Sequence, residues 1–212
     1  MDIYKTIIGD AESEFTEKHS RFLGYARHTE TEEEAVAFIE EIRSLNSDAR
    51  HNIYAYVLNE DHRSRFSDDG EPHGTAGKPA LDIINGLELK DVTVVVTRYF
   101  GGILLGTGGL VRAYSKAVKD ALEAAEMVMM VPGDVISARC DYNLYDRFDR
   151  ILKDFNAEII NSEFTDTVNI EFSIPETETD RFLDTINDKL SSRVRCELIY
   201  KKYAKEKIFL EK

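Results

Sequence analysis

A chain of 212 residues can hold two small domains with separate cores, and 42% hydrophobic with 32% charged residues is ordinary for a soluble globular protein. The formal net charge of −13 speaks against a protein that wraps nucleic acid through many phosphates. No apolar run approaches the roughly 20 residues of a membrane span, and an opening that carries Asp2, Asp10, Glu12, Glu14 and Glu17 has the wrong charge for an export or transit sequence.

A first strand is predicted near Arg21–Arg27. Thr31-x-x-Glu34 then gives a capping-box pattern, and the helix behind it should bury Ala35, Phe38, Ile39, Ile42 and Leu45. His51–Leu58 reads as a strand apolar on both faces. A polar, Gly-rich connection from Asn59 to Gly77 leads to a short helix near Pro79–Asn85. Val92–Tyr99 is the most strand-like segment of the chain. The loop Phe100–Gly109 enters a long helix, Leu110–Glu126, with Leu110, Ala113, Tyr114, Ala117, Val118, Ala121 and Leu122 as its apolar stripe. Its exit around Val131-Pro132-Gly133 marks the expected domain boundary, dividing the chain into 1–132 and 133–212.

The second part alternates over Val135–Tyr142, with Ile136, Ala138, Cys140 and Tyr142 on one face. Leu144, Phe148, Ile151, Leu152 and Phe155 follow helical spacing. Strands near Glu158–Phe164 and Val168–Ile174 come next, and Thr179 is expected to cap a helix with the stripe Phe182, Leu183, Ile186 and Leu190. A last strand, Val194–Tyr200, should point Val194, Cys196, Leu198 and Tyr200 inward. The order β-α-β-β-α-β is that of a ferredoxin-like sandwich, so the expected class is α+β with two domains. The open face of that sheet would show Ser137, Arg139, Asp141, Asn169, Glu171 and Ser173 with no aromatic, which gives base stacking little to work with. Cys140 and Cys196 make no disulfide framework and read as core thiols of a cytoplasmic protein.

Nine of the twelve glycines fall between Gly70 and Gly109. Glycine is costly to order, and a cluster this dense marks a built surface. Gly101, Gly102, Gly106, Thr107, Gly108 and Gly109 carry a strand into a helix N-terminus, where free amides and the helix dipole favour an anion, with Arg112 in the first turn. The loop matches neither G-x-x-x-x-G-K-[ST] nor G-x-G-x-x-G, so nucleotide binding by those modes is not expected. Glycines that only permit tight turns and close packing explain the same pattern. Upstream, Asp68, Asp69, Gly70, Glu71, Gly74, Thr75, Gly77 and Lys78 combine carboxylates with turn formers. Three such carboxylates could hold Mg²⁺ or serve as acid and base; they could equally bond their own backbone, or pair with Arg98 or Arg112. No Ser/His/Asp or Cys/His set stands out and there is no zinc spacing, so neither catalytic residue nor cofactor nor metal site is assigned. Tyr99 and Phe100 beside the glycines could form an exposed platform or plug the core.

SRFLGYA at Ser20–Ala26, DARHNIYAYVL at Asp48–Leu58, SDDGEPHGTAGKPALDII at Ser67–Ile84 and VTVVVTRYFGGILLGTGGLVRAYSKA at Val92–Ala117 resemble the YigZ/IMPACT family. The rest resembles the small domain of its bacterial members, itself similar to the last domain of elongation factor G. The resemblance implies an N-terminal β-α two-layer domain like one of a ribosomal small-subunit protein, joined to the ferredoxin-like domain. It implies a regulatory protein of translation, partnered by the translation machinery or another regulator, with no membrane partner. A small anion and RNA are further candidate ligands, and a small metal-dependent enzyme acting on a phosphorylated or carboxylated metabolite is the alternative. The site it implies comprises Asp68, Asp69, Gly70, Glu71, Gly74, Thr75, Gly77, Arg98, Tyr99, Phe100, Gly101, Gly102, Gly106, Thr107, Gly108, Gly109 and Arg112. Asn46 and Ile53 stand where relatives often carry His and Cys, which removes a mechanism that depends on either.

Overall fold

The computed structural model describes residues 1–60, 62–191 and 193–207. Contacts divide the chain into one unit of Tyr4–Val128 and another formed by Met1–Ile3 with the chain from Met129 onward.

The first unit runs β1 (Tyr4–Ile8), β2 (Asp10–Glu17), β3 (Ser20–His28), α1 (Glu32–Leu45), β4 (His51–Val57), β5 (Ser64–Ser67), α2 (Gly77–Gly86), β6 (Val92–Tyr99) and α3 (Thr107–Ala124). Its antiparallel sheet has the order β2-β3-β6-β4-β5. β6 is central because Val92, Val94 and Val96 on one face and Thr93, Val95 and Thr97 on the other are all buried, and a strand buried on both sides does not suit an edge. Val94 and Val96 join Phe22, Ile53, Ala55 and the buried stripes of α2 and α3. Val95 joins Tyr56 and Leu58 against Ala35, Phe38, Ile39 and Ile42 of α1. Helices therefore cover both faces of the sheet, as a doubly apolar β4 and β6 require. The Thr31 hydroxyl accepts the Glu34 amide at 3.2 Å, as its capping pattern implies. Leu45, expected in the stripe, is 70% exposed; the next inward position belongs to Asn46, whose amide donates to the Ile42 carbonyl and the Tyr25 hydroxyl.

β7 (Glu126–Cys140) follows α3 directly and runs without a break through Pro132 and Gly133. The second unit continues with α4 (Tyr142–Asp154), β8 (Glu158–Phe164), β9 (Val168–Pro175), a 3₁₀ turn at Glu176–Glu178, α5 (Thr179–Leu190) and β10 (Arg195–Lys207). Its strands lie in the order β10-β7-β9-β8 with α4 and α5 on one face, the ferredoxin-like arrangement of an α+β domain. Three details differ from expectation. Tyr142 opens α4 and is exposed rather than facing inward. Thr179 is the first residue of α5, and its hydroxyl donates to Asp134 at 2.7 Å instead of capping the helix. Leu198 and Tyr200 are exposed, because a strand climbs about 3.3 Å per residue and a helix only about 1.5 Å, so α5 covers just the start of β10.

Candidate functional site

Glu71 joins the two glycine-rich segments. It is 8% exposed, and its Oε1 accepts from Arg98 Nη1 and from the Tyr114 hydroxyl, each at 2.6 Å. Arg98, next to the last residue of β6, lies on the α3 side of the sheet, where Phe22 and Phe100 flank its guanidinium at 5.6 and 5.5 Å. Its Nη2 donates to Ser20 Oγ, which also accepts the Gly101 amide at 3.2 Å. Arg98 Nε is buried without an acceptor. Burial and then the Glu71 hydrogen bond push the Tyr114 hydroxyl far above the ordinary tyrosine range, so it stays a donor. The arrangement is a closed ionic knot tying the 68–77 loop to β6, α3 and the start of β3.

Asp68 closes the N-terminus of α2. Its Oδ1 accepts the amides of Ala76 and Gly77 at 3.0 and 2.9 Å, and its Oδ2 accepts Gly74 at 2.8 Å. The place where an anion would sit is thus filled by the protein's own carboxylate. Burial raises this acid, but the three amides and nearby His73 outweigh it, and the net shift is downward. The stabilisation Asp68 gives is therefore complete above the unperturbed 3.8 and is lost as pH falls through the lower folded value. Asp68→Ala is expected to cost about 2 kcal/mol near neutral pH. Urea titrations across acid pH should show the gap to the parent closing only below the unperturbed value.

Asp69 serves the same loop: its Oδ2 accepts the Asn52 amide at 2.6 Å, its carbonyl pairs with His51 Nδ1 at 2.8 Å, and Arg43 lies 3.4 Å from Oδ1. Thr75 Oγ1 donates to the Pro72 carbonyl, and Lys78 pairs with Asp82. Gly77 lets the α2 terminus approach Ser67, where an added Cβ would lie 2.6 Å from backbone atoms. Among the described residues no three acidic, His or Cys side chains are placed to hold a metal ion. Asp68, Asp69 and Glu71 do not converge on one open point.

The other face of the site is open. Gly106, at φ +73°, precedes α3, and no side chain caps that helix. Thr107, Gly108 and Arg112 are exposed, and Arg112 makes no ion pair among the described residues. Phe100 is 47% exposed, Ile103 44% and Leu104 81%. Tyr99 turns to the opposite side of the sheet, where its hydroxyl lies 3.0 Å from both Asn46 Oδ1 and Asp48 Oδ1. Of the two adjacent rings, Phe100 is thus the one beside the glycine loop's open surface.

Sequence reasoning missed Ser20, Tyr114, Ile103 and Leu104 as members of this region. Tyr114 carried a signal: it is the only hydroxyl in a stripe otherwise of Leu, Ala and Val, and a buried tyrosine needs a partner. Ile103 and Leu104 carried no such signal, since Leu105 between the same glycines packs against the core while they are exposed.

A two-unit α+β chain with this buried knot and an exposed glycine ridge defines a class that comparison makes specific. Residues 18–122 match the Impact N-terminal domain, and residues 139–193 match a domain of unknown function (DUF1949). The chain is 38% identical over 185 residues to an IMPACT family member of Haemophilus influenzae, covering 86% of this chain and 90% of that one. It is 36% identical to YvyE of Bacillus subtilis, over 87% of this chain and 86% of that one. A crystal structure described only as that of a hypothetical protein matches 94% of this chain and 98% of its own, with 33% identity and a TM-score of 0.60. The chain belongs to the IMPACT family.

Proposed function

We propose that this protein is a non-catalytic regulator that binds a component of translation, or of its regulation, through the ridge Phe100–Arg112. One observation carries the reading: the carboxylates that chemistry would need are spent on internal bonds, whereas the exposed groups nearby are apolar and cationic. Such a surface suits contact rather than reaction. An acidic group of the partner meets the free amides of Thr107–Gly109 and the Arg112 guanidinium, while Phe100, Ile103 and Leu104 supply apolar contact. The link to translation is supported by the family resemblance. Co-sedimentation with ribosomes and capture of purified translation factors test it. Arg112→Ala and Gly108→Val, both at exposed positions, should weaken retention at least about fivefold, equivalent to about 1 kcal/mol. Folded variants that bind like the parent would place the partner elsewhere.

A further inference from the structure

Among the described residues β8 ends the sheet of the second unit and pairs with β9 alone, and six of its seven residues are exposed. Open strand edges are normally blunted by charge, proline or a covering element. This edge carries Glu158 and Glu163 but also exposes Ile159 at 47%, Ile160 at 39% and Phe164 at 51%, with Tyr142 beside Phe164 at a ring separation of 6.5 Å. A bulge between Ile159 and Asn161 interrupts the ladder with β9, leaving Ile160–Phe164 as the stretch able to take another strand.

We propose that the strand is supplied by a second copy of this chain, paired antiparallel about a two-fold axis through Ser162. The register with β9 fixes which side residues 161–164 take. Ser162 and Phe164 stand opposite Ile170 and Val168, on the helix-covered side; Asn161 and Glu163 stand opposite Glu171 and Asn169, on the other. With Ser162 on the axis, Asn161 of one copy meets Glu163 of the other, an amide donor facing a carboxylate. Phe164 meets Ile160 and extends the apolar side of the sheet across the junction. Within Ile160–Phe164 no charge faces a like charge and no apolar residue faces a charged one. Glu158, just outside it, is already paired with Lys205 at 2.8 Å. Closure by one two-fold contact joins the β8-edged sheets of the two copies into one and leaves no further β8 edge to polymerise. The net charge of −13 on each copy opposes the contact at low salt, so association tightens as salt rises.

Sedimentation equilibrium of the full chain should show a species of twice 24.2 kDa whose population grows with protein and salt concentration. Ser162→Lys places two ammonium groups face to face on the axis, and Ser162→Asp two carboxylates; each should weaken self-association about tenfold. Mixing the two variants should restore the dimer as a heterodimer, which happens only if position 162 faces itself. Ser162 is exposed, so circular dichroism and melting should match the parent. A monomer at every concentration and salt level overturns the proposal. So does a dimer indifferent to both substitutions, or a mixture that stays monomeric.

Discussion

Arg98→Ala is expected to cost about 3–5 kcal/mol of folding stability, the range for a buried ion pair that loses one partner. Glu71 would remain in a site 8% exposed with, among the described residues, the Tyr114 hydroxyl as its one side-chain donor. Tyr114→Phe removes one hydrogen bond to a charged acceptor and should cost less, about 1.5–3 kcal/mol. Glu71→Gln keeps the shape but strands the guanidinium, so it should approach Arg98→Ala in effect. Denaturant melts of the two singles and the Glu71→Gln/Arg98→Ala double test this. The double should cost clearly less than the sum, since the second change removes a charge already left alone. Additive costs would show the residues to be independent. That outcome would undo the view that Glu71 ties the two segments together.

How much of this was legible in the sequence depends on whether a pattern carries geometry. The stripes of α1, α3 and α4 were legible because helical periodicity states which side is buried, and the buried residues are those that lie on it. β2 was not, for two physical reasons. Asp10–Glu17 carries acid on one side only weakly contrasted with the other, as befits an edge. Its turn into β3 runs through Lys18 and His19, both at positive φ of 44° and 64°, with neither glycine nor asparagine to announce it. The first half of β7 was also hidden, since Met127–Val131 has no alternation and continues a helical stretch without a breaker until Pro132.

For the site, composition placed the glycines and carboxylates together but could not choose between a ligand and a self-pairing. The pairing of Glu71 with Arg98 was one of the open alternatives. What decides it is Tyr114, a second donor from α3 to the same buried carboxylate oxygen that accepts from Arg98. The lone hydroxyl in that stripe announces a need for a partner, but which group it meets shows only once α3 is laid on the sheet.

Gly101→Ala should separate glycines that shape the ridge from those that only line it. An ideal Cβ at Gly101 would lie 2.0 Å from the His19 carbonyl carbon and oxygen and 2.5 Å from the Ser20 nitrogen, so backbone must move. His19 already sits at positive φ in a tight turn, and Ser20 is fixed by the Gly101 amide. Neither neighbour can yield cheaply, and the cost should reach the upper end of overpacking, about 3 kcal/mol or more. Gly108 lies in the first turn of α3 with only the Arg112 side chain, 3.8 Å away, near an added Cβ. Alanine there should be neutral or should stabilise by about 0.5–1 kcal/mol through helix propensity. Thermal melts of the two variants supply the comparison, and equal melting temperatures would refute the division. If the division holds, Gly101 explains why the β2–β3 turn and the ridge are held as one piece. Gly108 then explains only why the amides of α3 stay uncovered, and that is the property on which partner binding would depend.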